Sequence, residues 1–370
     1  LVKIFLNSKN PYIGLLLPKA VFISLETLLN KIMHWTIAAP FFTPKSSVNA
    51  AWLDNFIPSN RHLFTKVFRQ DVLADRSWHN RSSRTTQTTE WLSYWQQSGA
   101  AWHHTTGGVI TVFPQLASMV GLRKRLSYKD TPTIAWCFNL GALYLGLKQT
   151  LSRSVLQRVD RFVVHSRREC ETLSDWLGLP KENFEFVPLQ RSLIPVLETE
   201  DMENPFILAM GSANRDYQTF FNAVEQLGKP TVVVAGRHAL NHLTPPANVK
   251  ILSGLTPEEC YRLAQKARFN VIPLQDTATA AGQVTLVENM RMSRPVIATR
   301  CVGTEDYIQH GKTGLLVQPY SAEALVDLMS QLWSDSVFRN GLAKQAGIYA
   351  EANFSDEIAG ERLSKILDAF

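Results

Sequence analysis

Two Rossmann-like, doubly wound α/β domains facing a central cleft are the fold class this sequence predicts, on three observations. From Trp35 onward, short apolar runs alternate with helical stretches, the pattern of a mainly parallel sheet flanked by helices. Near residue 190 that pattern gives way to a Pro-containing polar stretch without periodicity, and then restarts. Finally, 370 residues at 45% hydrophobic and 19% charged are too many for one small core and too apolar for disorder. The expected organisation is an extension outside the fold at 1–32, a first domain at 33–190, a linker at 191–204 and a second domain at 205–370. The last helix is expected to pack back on the first domain.

The first domain reads as strands at His34 to Ala39, Gly108 to Phe113, Thr133 to Phe138, Arg161 to His165 and Phe184 to Val187, with helices including Thr88 to Trp102 and Pro114 to Leu126. The second reads as strands at Phe206 to Met210, Thr231 to Ala235, Val249 to Leu252, Phe269 to Pro273, Pro295 to Ala298 and Gly314 to Val317. Thr256-Pro257-Glu258-Glu259 spells a helix start, with Thr at the N-cap, Pro at the first helical position and Glu at the third, ahead of a helix through Lys266.

Charge is divided unevenly. Residues 33–190 carry 18 Lys+Arg against 11 Asp+Glu, whereas residues 191–370 carry 16 against 20. A basic first half suits an anionic partner such as a membrane surface or phosphorylated substrate, and no nucleic-acid-binding signature accompanies it. Cys137, Cys170, Cys260 and Cys301 show neither CxxC nor Cys/His spacing, which argues against a disulfide scaffold or structural zinc and for a reducing, cytoplasmic setting. Lys9, Lys19, Glu26 and Lys31 cut the first 32 residues into apolar runs far short of the roughly 20 residues that span a bilayer. That stretch reads neither as a transmembrane helix nor as a clear secretory signal; a weakly membrane-associating helix is the alternative.

Ligands of paired doubly wound domains bind in the crevice outside the carboxyl ends of the strands, where helix N-termini meet phosphates. The segment Thr277-Ala278-Thr279-Ala280-Ala281-Gly282-Gln283-Val284-Thr285 follows a strand and precedes a helix. Its small side chains would let backbone N–H groups reach an anion; the plain alternative is an ordinary connecting loop. Glu288, six residues beyond Gly282, is placed to accept from vicinal hydroxyls of a ribose, or else to be a helix-face charge. The loop Met210-Gly211-Ser212-Ala213-Asn214-Arg215-Asp216-Tyr217 brings Arg215 to the same cleft mouth. A guanidinium there suits a diphosphate, the alternative being a pair with Asp216. His103, His104 and His165 are possible bases without an identifiable partner carboxylate. Walker, GxSxG, HExxH and GxGxxG sequences are absent, which removes support for P-loop, hydrolase, metalloprotease and dinucleotide readings.

Taken in order, PFILAMGSANRDYQTFFNAV, TVVVAGRH, NVKILSGLTPEECYRLAQKARFNVIPL, AGQVTLVENMRMSRPVIAT and EDYIQHGKTGLLVQPYSAEALVDLM resemble the nucleotide-sugar-binding domain of GT-B glycosyltransferases, in particular the retaining family 4 type. DRFVVHSRRECETLSDWLGLPKENFEFVP is similar, more weakly, to the end of that family's acceptor domain. The resemblance implies a nucleotide-sugar donor, a saccharide, lipid-linked or polysaccharide acceptor, retention of configuration, and neither metal nor other cofactor. By the same resemblance Glu288 is the second Glu of the family's Glu, seven residues, Glu motif and holds the donor ribose. Gly282, Gln283, Val284 and Thr285 meet phosphates and sugar, Arg215 meets the diphosphate, Gly211 and Ser212 bind the donor, and Gly236, Arg237 and Gly254 line the base and ribose end.

Two departures from the family pattern stand out. The first Glu of the motif falls on Ala280, and the acceptor-domain His falls near Phe138 or Asn139. Gln283 and Asn139 are expected to supply neutral hydrogen bonds there, with Arg215 and the loop amides stabilising the leaving diphosphate. Arg123-Lys124-Arg125 on the helix Pro114 to Leu126 is the surface expected to meet anionic lipid, giving a cytoplasmic protein held peripherally at the inner face of the membrane. The competing readings are a GT-B-like epimerase, which would need cleft carboxylates, and a degenerate module that binds a sugar nucleotide or partner without turnover.

Overall fold

A computed structural model describes residues 32–43, 51–58, 60–69, 86–127 and 129–370. The expectations for residues 1–32 lie outside the described residues, apart from Ile32. The first sheet holds β1 (Met33–Ala38), β2 (His62–Val67), β3 (Gly108–Val112), β4 (Thr133–Trp136), β5 (Arg161–Val164) and β6 (Phe184–Phe186) in the order β2-β1-β3-β4-β5-β6. Every pairing is parallel, with β1 matched to β3 through Trp35↔Gly108. Its helices are α1 (Thr88–His104), α2 (Pro114–Leu126), α3 (Leu147–Leu156) and α4 (Arg167–Leu177). All residues of β3 and β4 are buried, as expected of central parallel strands covered on both faces.

The second sheet contains β7 (Ile207–Met210), β8 (Thr231–Val234), β9 (Val249–Leu252), β10 (Phe269–Ile272), β11 (Val296–Thr299) and β12 (Leu315–Val317) in the order β12-β11-β10-β7-β8-β9, again all parallel. Connecting and covering it are α5 (Tyr217–Leu227), α6 (Pro257–Lys266), α7 (Gln283–Arg291), α8 (Ala322–Ser334) and α9 (Ser336–Phe354). This order changes direction between β7 and β10, the position at which doubly wound sheets bind their ligands.

The final helix, α10 (Asp356–Leu367), crosses back to the first domain. Its Ala359, Leu363, Ile366 and Leu367 are buried in one cluster with Trp35, Ile37, Ile110 and Trp136. Gly360 permits the approach, because a Cβ there would lie 2.4 Å from the carbonyl oxygen of Phe56. His62 Nε2 meets Asp368 Oδ1 at 3.0 Å, and the Trp35 and Phe370 rings pack edge to face at 5.6 Å.

The strands expected from sequence are present, most ending one or two residues early. Among the described residues, neither strand β2 nor helix α3 is one of the elements named from sequence. Strand β2 has an edge position and exposes Leu63, so it lacks the continuous apolar run of its neighbours. Helix α3 shows solvent most of its first turn and was hidden by its exposed leucines. The stretch 191–204 is fastened to the second domain: buried Gln265 accepts from the amides of Leu197 and Glu198 at 2.7 and 2.9 Å and donates to the Pro195 carbonyl at 2.9 Å. The Arg123-Lys124-Arg125 surface needs correction. Arg123 stacks on Trp95, 3.6 Å from the ring centroid, and donates to its carbonyl and to Ser98, while buried Lys124 pairs with Asp160 at 2.7 Å. Only Arg125 of the three is exposed.

Candidate functional site

The crevice between β7 and β10 is built by two loops that hold each other. Asp216 N–H donates to Pro273 at 3.0 Å and Gln275 N–H to Asn214 at 3.1 Å, so the turns after the two strands move as one. Asp216 caps α5, accepting from Thr219 N–H at 3.1 Å, and is therefore spent on the helix rather than on Arg215.

Arg215 lies across the floor of this crevice. Its Nε donates to Met210 carbonyl at 3.1 Å, Nη1 to Ala213 carbonyl at 2.9 Å and Nη2 to Thr285 Oγ1 at 3.3 Å. All three acceptors are neutral, and burial lowers the affinity of the guanidinium for its proton. Gly211 makes room: at φ 117°, a Cβ on it would sit 2.3 Å from Arg215 Nη2. Tyr217 steadies the same turn by donating its hydroxyl to Gly211 carbonyl at 2.6 Å.

Helix α7 points its N-terminus into the crevice. Gly282 is its N-cap, at φ 81°, and a side chain there would press on Leu274 at 2.7 Å. Glycine offers no capping oxygen, so the first-turn amides are left to an outside acceptor. Thr285 in that turn carries the Arg215 contact, and Val284 beside it is exposed. The adjoining β8 loop is tied in through Ser212 Oγ, which accepts from Gly236 N–H at 2.8 Å. Arg237 is exposed just beyond, and Gly254 sits in an open turn at φ 73°.

Glu288 lies one turn further along α7. Its Oε1 is 3.1 Å from Arg191 Nε, on the segment joining the domains, and accepts from the Tyr261 hydroxyl at 3.2 Å. The structure thus brings Gly211, Ser212, Arg215, Gly236, Gly282, Gln283, Val284 and Thr285 to one crevice. Glu288, Arg237 and Gly254 stand at its margins.

The opposite wall comes from the first domain. Asn139 donates to Ala280 carbonyl at 2.8 Å while its Oδ1 accepts from Gly141 N–H at 2.7 Å, and Gly141 carbonyl accepts from Thr279 Oγ1 at 3.0 Å. Gln283 Nε2 donates to His165 carbonyl at 3.2 Å. Asn139 and Gln283, expected to present neutral hydrogen bonds to a ligand, use these groups to join the domains.

Sequence reasoning missed Glu169. Buried on α4, it accepts from Ala280 N–H at 2.9 Å, while its Oε2 is enclosed without a hydrogen bond. Burial, with nearby Asp306 adding to it, pushes its carboxyl up to about 7 against the opposing amide bond. Asp306 accepts from Ser166 Oγ and Arg167 N–H, and the Tyr307 hydroxyl donates to His165 carbonyl at 2.8 Å. His165 itself is buried, with Nδ1 2.6 Å from Val187 carbonyl and Nε2 2.9 Å from Cys137 Sγ; burial lowers its pKa to about 4, leaving it neutral. His103 and His104 are exposed at the end of α1 that feeds the N-terminal end of β3, opposite the carboxyl ends of the strands. Among the described residues no group of three His, Cys, Asp or Glu is arranged to hold a metal ion.

With this geometry in hand, comparisons with known proteins add a family. Residues 204–335 match the family described as glycosyl transferases group 1. The alpha-D-kanosaminyltransferase of Streptomyces kanamyceticus is 30% identical over 83 residues, 22% of this chain and 22% of its own. The O-antigen chain mannosyltransferase C of Escherichia coli is 28% identical over 150 residues, 38% of this chain and 40% of its own. The chain therefore matches less than half the length of these relatives. Among solved structures, Anabaena HepE in complex with UDP-glucose aligns over 91% of this chain and 100% of its own, with TM-score 0.65 at 14% identity.

Proposed function

We propose, from the premise that the chain has the GT-B fold and a second domain matching glycosyl transferases group 1, that it moves a sugar from a nucleotide-sugar donor to a saccharide, lipid-linked or polysaccharide acceptor, with retention. The observation that carries this reading is Arg215, a guanidinium held by neutral acceptors beside the uncapped N-terminus of α7. A half-buried cation beside a helix N-terminus that lacks a side-chain cap is a diphosphate's complement.

In this reading the donor diphosphate lies between Arg215 and the amides of Gln283, Val284 and Thr285. Gly236, Arg237 and Gly254 border the base, and Glu288, oriented by Arg191 and Tyr261, accepts from the ribose hydroxyls. As the bond from the anomeric carbon to the diphosphate breaks, Arg215 and the amides stabilise the charge on the leaving oxygen. The acceptor hydroxyl bonds to the same carbon on the face the diphosphate leaves, and its proton passes to a diphosphate oxygen. No metal or other cofactor takes part. Asn139, Gln283 and Glu169 act as positioning residues: they hold the loop around Ala280 against the first domain and keep water from the crevice.

The test follows nucleotide release from UDP-, GDP- and ADP-sugars with and without lipid or polysaccharide extract. Acceptor-dependent release with one donor is the expected result. Tight donor binding without release would assign a binding module, a reading favoured by the missing carboxylate at Ala280. Neither binding nor release across the panel would sink both. No described helix is long and apolar enough to cross a membrane; we place the protein in the cytoplasm, peripheral to the membrane's inner face.

A further inference from the structure

The first domain displays an apolar surface that its own fold leaves in solvent. Within the eight residues 144–151, Tyr144 is 47% exposed, Leu145 80%, Leu147 75% and Leu151 59%. Single exposed leucines are ordinary, but four large apolar side chains this close form a patch. The exposure is built in, because the segment is held from beneath. Trp176 Nε1 donates to Tyr144 carbonyl at 2.8 Å, and Trp176 carbonyl accepts from Gln149 at 3.2 Å and Arg153 Nε at 2.5 Å. Gly146 turns the chain at φ 69° into α3, with nothing packed around it.

Along the segment itself the charge has one sign, and the exposed acids Glu171 and Asp175 belong to the adjoining α4. No Asp or Glu occurs from Thr131 through Val159, while Lys148 and Arg158 are exposed, Lys148 standing 4.9 Å over the Tyr144 ring. A second copy of the chain seated symmetrically on this face would bring like charges together. An anionic bilayer complements both features at once.

We propose that the face Tyr144–Leu151 docks on an anionic lipid bilayer, its leucines entering the headgroup boundary and Lys148 and Arg158 meeting the lipid charge. The segment leading into this face, Asn139–Gly141, bonds to Thr279 and Ala280 at the wall of the crevice, so a bilayer docked here lies beside the crevice mouth. Resting on the transferase reading, this placement makes the acceptor a lipid-linked one presented by the membrane.

The experiment is vesicle flotation of the full chain without donor, using phosphatidylcholine alone or with phosphatidylglycerol, at low and high salt. Wild type is expected to float with anionic vesicles at low salt. The triple variant L145E/L147E/L151E, which keeps residues 1–31, is expected to lose about tenfold or more of that binding, and K148E about fivefold. Failure of wild type to float, or flotation of the triple variant at the wild-type level, overturns the proposal. So does a wild-type dimer in gel filtration that the triple variant abolishes while wild type stays off vesicles. Nucleotide release in solution is read separately: flotation without turnover sinks the transferase reading alone, and turnover without flotation sinks this surface alone.

Discussion

On the proposed reading Arg215 is the residue that meets the donor diphosphate, and its arrangement gives sharp expectations. Its three acceptors carry no charge, so removing it strands no anion in the protein; what the proposed reading loses is the partner of the donor diphosphate. Arg215→Ala is therefore expected to lower kcat/KM for nucleotide release by about 100-fold or more, with a melting temperature close to wild type. Loss of the fold instead of turnover would show the guanidinium to be only a brace for its loop. Glu169 is expected to appear in pH dependence. Its folded carboxyl is raised to about 7 against an ordinary 4.5, so its favourable contribution is full below 4.5 and is lost as pH rises through 7. Glu169→Gln keeps an acceptor for Ala280 N–H and removes the titration. Chemical denaturation between pH 5 and 8 should then show the variant gaining on wild type toward pH 8, by up to about 3 kcal/mol. Equal slopes for the two proteins would contradict the assignment. Arg215 was legible in the sequence because it sits in a short loop directly after a recognisable strand. Glu169 was not, because its partner Ala280 is 111 residues away and only folding brings the two together.

At the scale of elements, helix α7 contributes its N-terminus and the loop before it contributes a left-handed turn. Gly282→Ala would put a methyl group 2.7 Å from Leu274 Cδ1 at φ 81°, so a loss of about 1–3 kcal/mol is expected in denaturant unfolding, together with weaker donor binding by titration calorimetry. An unchanged midpoint would mean that the loop relaxes without cost. Most strands could be placed from sequence because central parallel strands are continuous apolar runs, and α6 because Thr256 and Glu259 form a reciprocal cap that the structure contains. Strand β2 and helix α3 escaped for the opposite reason. An edge position and an outward apolar face break the link between hydrophobicity and burial on which sequence reading depends.

Across the whole molecule, the two domains are joined by more than their linker. Helix α10 leaves the second domain and completes the core of the first, with Leu363 fully buried beside the β1 and β4 side chains. Leu363→Ala should cost about 2–5 kcal/mol, and urea unfolding followed by tryptophan fluorescence would read it, since Trp35, Trp52 and Trp136 share that cluster. A change well below 1 kcal/mol would show that the helix merely rests on the surface. What the sequence by itself determined is the repeated strand and helix order, the break near residue 190, and the loops that bear Arg215 and Gly282, all set by local apolar spacing and small residues. What only the tertiary structure decided is which partners those residues have: Asn139 and Gln283 turned to join the domains, Glu169 brought to Ala280, Arg191 to Glu288, and Arg123 and Lys124 drawn inward while Leu145 and Leu147 stay out. Burial and pairing are properties of side chains far apart along the chain, and the parallel crossovers that bring them together leave no local mark in the order of residues.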